Sequence, residues 1–286
     1  MSYDAEAYRR ASLENWEEAA AGWARRQQMM RDFAAAVSHW MVDAIAPQPG
    51  QRVLELAAGM GETGMLAAEL VAPLGGVIIS DQAEAMLAGA RARAGALNLN
   101  NVEFQALNAE WIDLPVASVD AVFCRWGYML MADPAAALAE TRRVLRPGGR
   151  LALAVWDVLD ANPWARLPAE ELKERGLMPA PELNVAQPPG PFSLASATRV
   201  RELLEQAGFV EIHVQTLELV RRHVSFRELW EVTLDLSRNF HDAVLGRPAK
   251  EIASIEASLC ERFAPYTAAD GTLELPARTL VAAASA

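Results

Sequence analysis

The sequence predicts an α/β fold built on a mostly parallel sheet, and three observations carry the prediction. Short apolar runs, continuous rather than alternating, recur between longer Ala- and Leu-rich segments, as expected of strands covered on both faces. The first run, residues 52–56, breaks into a glycine turn and re-forms as a helix over Glu62–Val71. The 286 residues, 52% of them hydrophobic, suffice for one large core with embellishments.

Residues 1–46 read as N-terminal helices that form a lid, with Trp16 and Trp23 on one face and Phe33, Val37, Trp40 and Met41 extending an apolar stripe. Simple packing is the favoured account of that stripe. Residues 47–157 read as the core. Pro49-Gly50 turns the chain into the first strand, and Pro73-Leu74-Gly75-Gly76 breaks it before a second strand, 77–80, that ends at Asp81. A helix follows over 82–96, then a third strand over 102–106 and a fourth over 118–124 whose loop runs to Tyr128. Asp133 and Pro134 open a helix to Leu145, and Arg146-Pro147-Gly148-Gly149 leads into a fifth strand, 151–155, with Trp156 and Asp157 at its carboxyl end.

Residues 158–192 form a proline-rich insertion, with prolines at 163, 168, 179, 181, 188, 189 and 191, and leave room for one short helix near 169–175. It reads either as a lid over the substrate entrance or as a surface excursion. Residues 193–224 and 272–286 complete the sheet, with a Ser196-capped helix to Ala207, a long strand over 209–223 and a closing strand over 273–284. Residues 225–271 read as a helical cap over the substrate site, interrupted at Gly246-Arg247-Pro248.

The chemistry begins at the glycine turn. Glycine serves where backbone bends sharply and approaches a ligand closely. Gly59, Gly61 and Gly64 fit G-x-G-x-x-G, so a nicotinamide dinucleotide is one reading. Glu55, at the end of the first strand, would repel a diphosphate. S-adenosylmethionine instead brings a sulfonium and an ammonium, which a carboxylate attracts. Asp81 ends the second strand, where a carboxylate accepts hydrogen bonds from ribose hydroxyls or caps the following helix.

Glu55-x-Ala57-x-Gly59-x-Gly61, with the distant Leu-Arg-Pro-Gly-Gly-Arg turn at 145–150, resembles the class I S-adenosylmethionine-dependent methyltransferases, specifically the type 11 domain and its quinone-biosynthesis and natural-product branch. Ala57 stands where that family most often has a first glycine. The resemblance covers 49–157 well and 193–284 in outline. It implies a Rossmann-like seven-stranded, mostly parallel sheet with an antiparallel last strand, S-adenosylmethionine as methyl donor and S-adenosylhomocysteine as product.

The resemblance further assigns cofactor contacts to Glu55, Ala57, Gly59, Met60, Gly61, Asp81, Gln82, Asn108, Ala109, Glu110 and Arg125. Asn108-Ala109 matches the pair that addresses the adenine amino group, with Asn in place of the commoner Asp. Trp111 either stacks on adenine or anchors its loop. Substrate contacts fall to Trp23, Trp126, Tyr128 and Trp156, with Trp16 and Arg26 as further candidates, because the N-terminal helices of the family often close over the cofactor.

Methyl transfer from a sulfonium starts from an activated leaving group, so positioning and exclusion of water dominate. A base is needed only when the acceptor must lose a proton, and His223 and His241 are the best placed histidines. The acceptor reads as a small, partly apolar organic molecule, with oxygen ahead of carbon and nitrogen. A nicotinamide-dependent oxidoreductase and a non-methylating S-adenosylmethionine-binding protein remain as alternatives.

Composition sets the outer bounds. The net charge of −11 argues against a nucleic-acid partner, and Arg221 and Arg222 read as solvated surface. There is no apolar leader at residues 1–10 and no run approaching eighteen apolar residues, so the expectation is a cytoplasmic protein with no membrane association. Cys124 and Cys260 read as buried free thiols. The four histidines lack metal-ligand spacing, so no metal is expected. A homodimer is compatible with the composition.

Overall fold

The computed structural model describes residues 4–177 and 189–286. Two helices, α1 (Ala5–Arg25) and α2 (Gln27–Ile45), precede the sheet. Strands β1 (Arg52–Glu55), β2 (Gly76–Asp81), β3 (Val102–Ala106), β4 (Val119–Arg125) and β5 (Leu145–Trp156) alternate with α3 (Glu62–Val71), α4 (Glu84–Ala96) and α5 (Pro134–Val144). After α6 (Pro163–Glu174) and α7 (Ala197–Gln206) come β6 (Val210–His223), three helices α8 (Phe226–Leu236), α9 (Arg238–Leu245) and α10 (Ala249–Phe263), and β7 (Leu273–Ser285).

The seven strands lie in the order β3-β2-β1-β4-β5-β7-β6. β1 pairs in parallel with both β2 and β4, whereas β7 runs antiparallel to both β5 and β6. This is the Rossmann-like sheet with a reversed last strand that the resemblance implies. Continuous burial of Val53–Glu55 and Val77–Asp81 explains why those strands carry no polar alternation: helices cover both faces. The order reverses between β1 and β4, which opens a crevice at the carboxyl ends of β1, β2, β3 and β4.

Local chemistry sets the element ends. Asp133 accepts from the N–H groups of Ala135 and Ala136, Ser196 from Arg199 and Ser225 from Glu228, each capping the helix that follows. The helical segment at 225–265 breaks at Gly246-Arg247-Pro248 as expected and once more at Ser237, which caps α9 one residue after α8 ends. α6 is longer than the short helix expected near 169–175. Pro163 occupies its first turn, where a missing N–H costs nothing, and Pro168 lies inside the helix on the face that also buries Leu167, Glu171 and Leu172. Pro179, Pro181 and Pro188 lie outside the described residues.

Two expectations about burial fail. Cys124 is a buried free thiol whose pKa burial pushes up to about 12, but Cys260 is exposed on α10, where that helix turns its polar side outward. Arg221 is buried on β6 while its neighbour Arg222 is exposed and paired with Glu274, as strand alternation dictates. No described helix is long and apolar enough to cross a membrane.

Candidate active site

The crevice at the sheet's carboxyl edge is a pocket of about 1070 Å³ including its mouth. Its floor is the turn after β1, where Ala57, Gly59 and Gly61 adopt φ values of 49°, 53° and 74°. That region favours glycine and strains Ala57, so the alanine occupies a position the backbone would more cheaply give to glycine. Ala57, Ala58, Gly59 and Met60 line the pocket, whereas Gly61 starts α3 against Met65 and Ile79 behind it.

Asp81 ties this turn to the next strand. Its Oδ2 accepts the Gly59 N–H at 2.8 Å and its Oδ1 accepts the Ala83 N–H at 3.0 Å. The carboxylate is therefore not the cap of α4, whose N-cap is Ala83. Burial pushes its pKa up, and the N–H groups of Ala83, Gly59 and Gln82 oppose that shift. The carboxylate keeps acceptor capacity beyond these N–H groups, and Asp81 and Gln82 both line the pocket.

Glu55 is not in the pocket wall, contrary to the electrostatic argument from sequence. It turns under α3, where its Oε2 accepts the Gly64 N–H at 2.9 Å in a fully buried setting. Desolvation pushes its pKa up to about 7, opposed by the charge of Arg125 and the Gly64 N–H. The unfolded carboxyl titrates near the ordinary value, so the folded protein binds an extra proton between about pH 4.5 and pH 7. Stability from this group is thus present below the unfolded value and lost as pH rises through the folded one. Glu55→Gln is expected to raise the melting temperature at pH 8 by several degrees, a gain of about 1–3 kcal/mol, and to leave it unchanged at pH 4. Thermal denaturation of the two proteins across that range measures the difference.

Glu62, in the first turn of α3, does line the pocket, as Asp81 does. It bridges Arg93 at 3.0 Å and Arg125 at 3.1 Å, so two guanidinium groups meet one carboxylate. The Arg125 Nε is buried with no hydrogen-bond partner, as are Trp23 Nε1 and Gln27 Nε2 on the opposite wall. These donors, and the excess of positive charge around Glu62, suit a ligand carrying a carboxylate beside an ammonium.

After β3, Leu107, Ala109 and Glu110 line the pocket, but Asn108 does not. Its side-chain oxygen accepts the Glu110 N–H at 2.8 Å, closing a turn of its own backbone. The buried Glu110 carboxylate is held by Arg9 and by the Ala132 N–H at 3.0 Å. Trp111 faces solvent, 61% exposed, with Arg9 over its ring.

After β4, Arg125 and Trp126 line the pocket, Trp126 with φ 60°. Tyr128 does not reach it. The ring is fully buried and its hydroxyl lies 2.7 Å from Thr141 Oγ1, which makes it core rather than a substrate contact. Trp156 stands one layer back, stacked on Trp126 with ring centroids 4.2 Å apart. Trp126 Nε1 donates to Thr279 Oγ1 at 3.0 Å, fixing that pair against β7.

α1 closes the opposite side. Trp16 and Trp23 line the pocket edge to face at 5.6 Å, joined by Tyr8, Arg9 and Ser12, which the polar composition of that segment conceals in the sequence. The four-residue steps from Tyr8 to Ser12 to Trp16 and the seven-residue step to Trp23 put them on one face of α1, which is the signal that groups them. Arg26 points away and pairs with Asp235 at 2.6 Å.

Neither histidine lines this pocket. His241 is on α9, bonded to Asp242 at 3.0 Å. His223 is buried, and desolvation beside Arg221 pulls its pKa down to about 3. A group so reluctant to take a proton is a weak general base at neutral pH.

The protein-family model described as a methyltransferase domain matches residues 47–208. The chain is 36% identical over 134 residues to a ubiquinone/menaquinone biosynthesis C-methyltransferase (UbiE) from Methylobacterium nodulans, covering 44% of this chain and 53% of that protein. It is 29% identical over 197 residues to the nocamycin O-methyltransferase of Saccharothrix syringae, covering 63% and 67%. The matches span about half the length of the first of these curated relatives. Among solved structures, the YcgJ protein from Bacillus subtilis superposes with a TM-score of 0.56 over 87% of this chain and 97% of that one at 18% identity, a likeness of fold alone. The family match decides against the nicotinamide reading of the glycines: the chain belongs to the methyltransferase-domain family of class I S-adenosylmethionine-dependent methyltransferases.

Proposed function

We propose that the chain methylates a small, partly apolar organic molecule, with oxygen as the favoured acceptor atom, in natural-product or quinone metabolism. The observation that carries this reading is the pocket's mixed lining. Gly59, Asp81, Glu62 and Arg125 supply polar groups matched to a nucleoside and an amino acid. Trp16, Trp23, Met30, Trp126 and Met131 supply aromatic and apolar surface beside them. The O- and C-methylating relatives support methyl transfer to small molecules, and the preference for oxygen rests on the nocamycin relative.

S-adenosylmethionine, when bound, would supply an activated methyl group on a sulfonium, for transfer to a lone pair of the acceptor with the carbon–sulfur electron pair left on sulfur. The residues hold and enclose. Asp81 accepts from ribose hydroxyls through the lone pairs that Gly59 and Ala83 leave open. The Ala57–Met60 turn brings backbone within reach of the sugar and amino-acid portions. Arg125 and Gln27 donate to the amino-acid carboxylate, and the tryptophans of α1 exclude water.

No histidine base takes part in this account. The variant His241→Ala is expected to keep turnover within about threefold of the native enzyme, because His241 lies outside the pocket and an acceptor delivered as its anion needs no proton removed. Mass spectrometry of an acceptor panel of phenols, enols and carboxylic acids for a gain of one methyl group tests the function itself. Binding of S-adenosylhomocysteine with no methylated product from any class would leave a non-catalytic cofactor-binding protein instead.

A further inference from the structure

Arg221 is a buried cation with no counter-ion among the described residues. It is 7% exposed, its Nε has no hydrogen-bond partner, and it forms no ion pair among the described residues. The nearby carboxylates are committed elsewhere: Asp235 and Glu231 pair with Arg26, and Glu228 approaches His223 at 3.6 Å and accepts the Val224 N–H. Aromatic rings flank it, with the guanidinium 5.9 Å from the centre of Phe33 and 5.5 Å from that of Trp164. Burial lowers its pKa only to about 10, so it keeps its charge at neutral pH. A charge placed in such surroundings is costly, and an apolar side chain would ordinarily be more stable there.

Two further observations make this a place for a ligand. His223, two residues along the same face of β6, is also buried, and neither ring nitrogen has a hydrogen-bond partner, although Glu228 stands 3.6 Å from its Nδ1. Arg221 is linked to the active site by continuous aromatic stacking. Phe33 stacks on Trp126 at 6.1 Å and on Trp156 at 6.2 Å, and Trp156 packs on Trp164 at 4.9 Å. Trp126 lines the cofactor pocket itself.

We propose that Arg221 is the anion-binding residue of the acceptor subsite and that the methyl acceptor is an aromatic or conjugated molecule carrying a carboxylate, phenolate or enolate. The inference rests on the methyltransferase reading above and names its substrate class. The rings of Phe33, Trp126, Trp156 and Trp164 take the flat part of the molecule, and Arg221 takes its negative charge in a bidentate or stacked contact, with neutral His223 as an additional donor.

The test uses full-length protein saturated with S-adenosylhomocysteine and two isosteric probes, 1-naphthoate and 1-naphthamide, titrated by calorimetry against the native protein, Arg221→Met and Arg221→Lys. The native protein is expected to bind the acid at least tenfold more tightly than the amide. Arg221→Met loses that preference, Arg221→Lys keeps part of it, and all three bind S-adenosylhomocysteine within about twofold of one another. Ligand-free Arg221→Met is expected to melt at a higher temperature than the native protein, because the uncompensated charge is gone; a purely structural arginine would give a lower one. An acid bound no more tightly than the amide by the native protein, whether both bind or neither does, overturns the proposal, as does a preference that survives in Arg221→Met. Failure of the native protein to bind S-adenosylhomocysteine overturns the methyltransferase reading instead, so the two failures are distinct.

Discussion

Asp81→Ala is expected to weaken S-adenosylhomocysteine binding by about 100-fold, the largest effect of any single side chain in the pocket. Asp81 does two things at once. It accepts the N–H groups of Gly59 and Ala83, holding the turn after β1 against the loop after β2, and it presents its remaining lone pairs to the pocket. Alanine leaves both N–H groups without their acceptor at a position only 8% exposed. Each orphaned donor costs about 1–3 kcal/mol, and the ligand's own bonds to the carboxylate are lost as well. A 100-fold change corresponds to about 2.7 kcal/mol, within that range. Asp81→Asn keeps one acceptor but turns an NH₂ toward the second N–H, so an intermediate loss is expected. Calorimetric titration of both variants, beside their melting curves, separates affinity from folding, and an Asp81→Ala protein that binds within threefold of native contradicts the assignment.

The second large effect is expected at Gly127, in the pocket wall after β4. Its φ of −100° suits any residue, so the constraint is space rather than backbone freedom. A Cβ there would lie 2.6 Å from Ala57 Cβ and 2.7 Å from Cys124 Sγ. The Ala57 Cβ is fixed to its backbone and cannot swing aside, and the Cys124 thiol is fully buried, so Gly127→Ala must push the β4 loop away from the cofactor turn. The expected cost is about 1–3 kcal/mol of stability, with about a tenfold loss in S-adenosylhomocysteine affinity because Ala57 and Trp126 move with the loop. Gly95→Ala, in α4 with open space where its methyl group would stand, provides the contrast: it is expected to be neutral or stabilising by up to about 1 kcal/mol. Equal melting temperatures for native protein and Gly127→Ala would show that the wall is looser than its geometry implies.

The sheet is legible in the sequence because parallel strands buried on both faces write themselves as uninterrupted apolar runs, and because glycine and proline punctuate the turns between them. Val53–Glu55, the glycine turn and α3 follow from that pattern directly. The pocket is legible where backbone makes it, at Ala57, Gly59 and Asp81, since position at a strand's carboxyl end determines which groups meet a ligand.

Side-chain direction does not follow in the same way. Tyr128 and Asn108 occupy loops at the right edge of the sheet, yet one turns into the core to meet Thr141 and the other into its own backbone. Loop dihedrals decide this, and sequence spacing does not encode them. Glu55 departs from expectation for a related reason. It ends β1 at the expected position but points beneath α3, where a helix N-terminus offers it an N–H. Arg221 carries a usable signal that adjacency to Arg222 obscures: on a strand, 219, 221 and 223 share a face, and buried Leu219 and His223 place Arg221 inside.

The central claim is that the turn after β1 and Asp81 hold S-adenosylmethionine. Isothermal calorimetry of the native protein with S-adenosylhomocysteine measures it most directly, with Asp81→Ala as the comparison and a reduced nicotinamide dinucleotide as the competing ligand. The account predicts one site per chain, micromolar or tighter, weakened about 100-fold in Asp81→Ala, and no heat from the dinucleotide. Dinucleotide binding without S-adenosylhomocysteine binding, or S-adenosylhomocysteine binding that Asp81→Ala leaves intact, would contradict it.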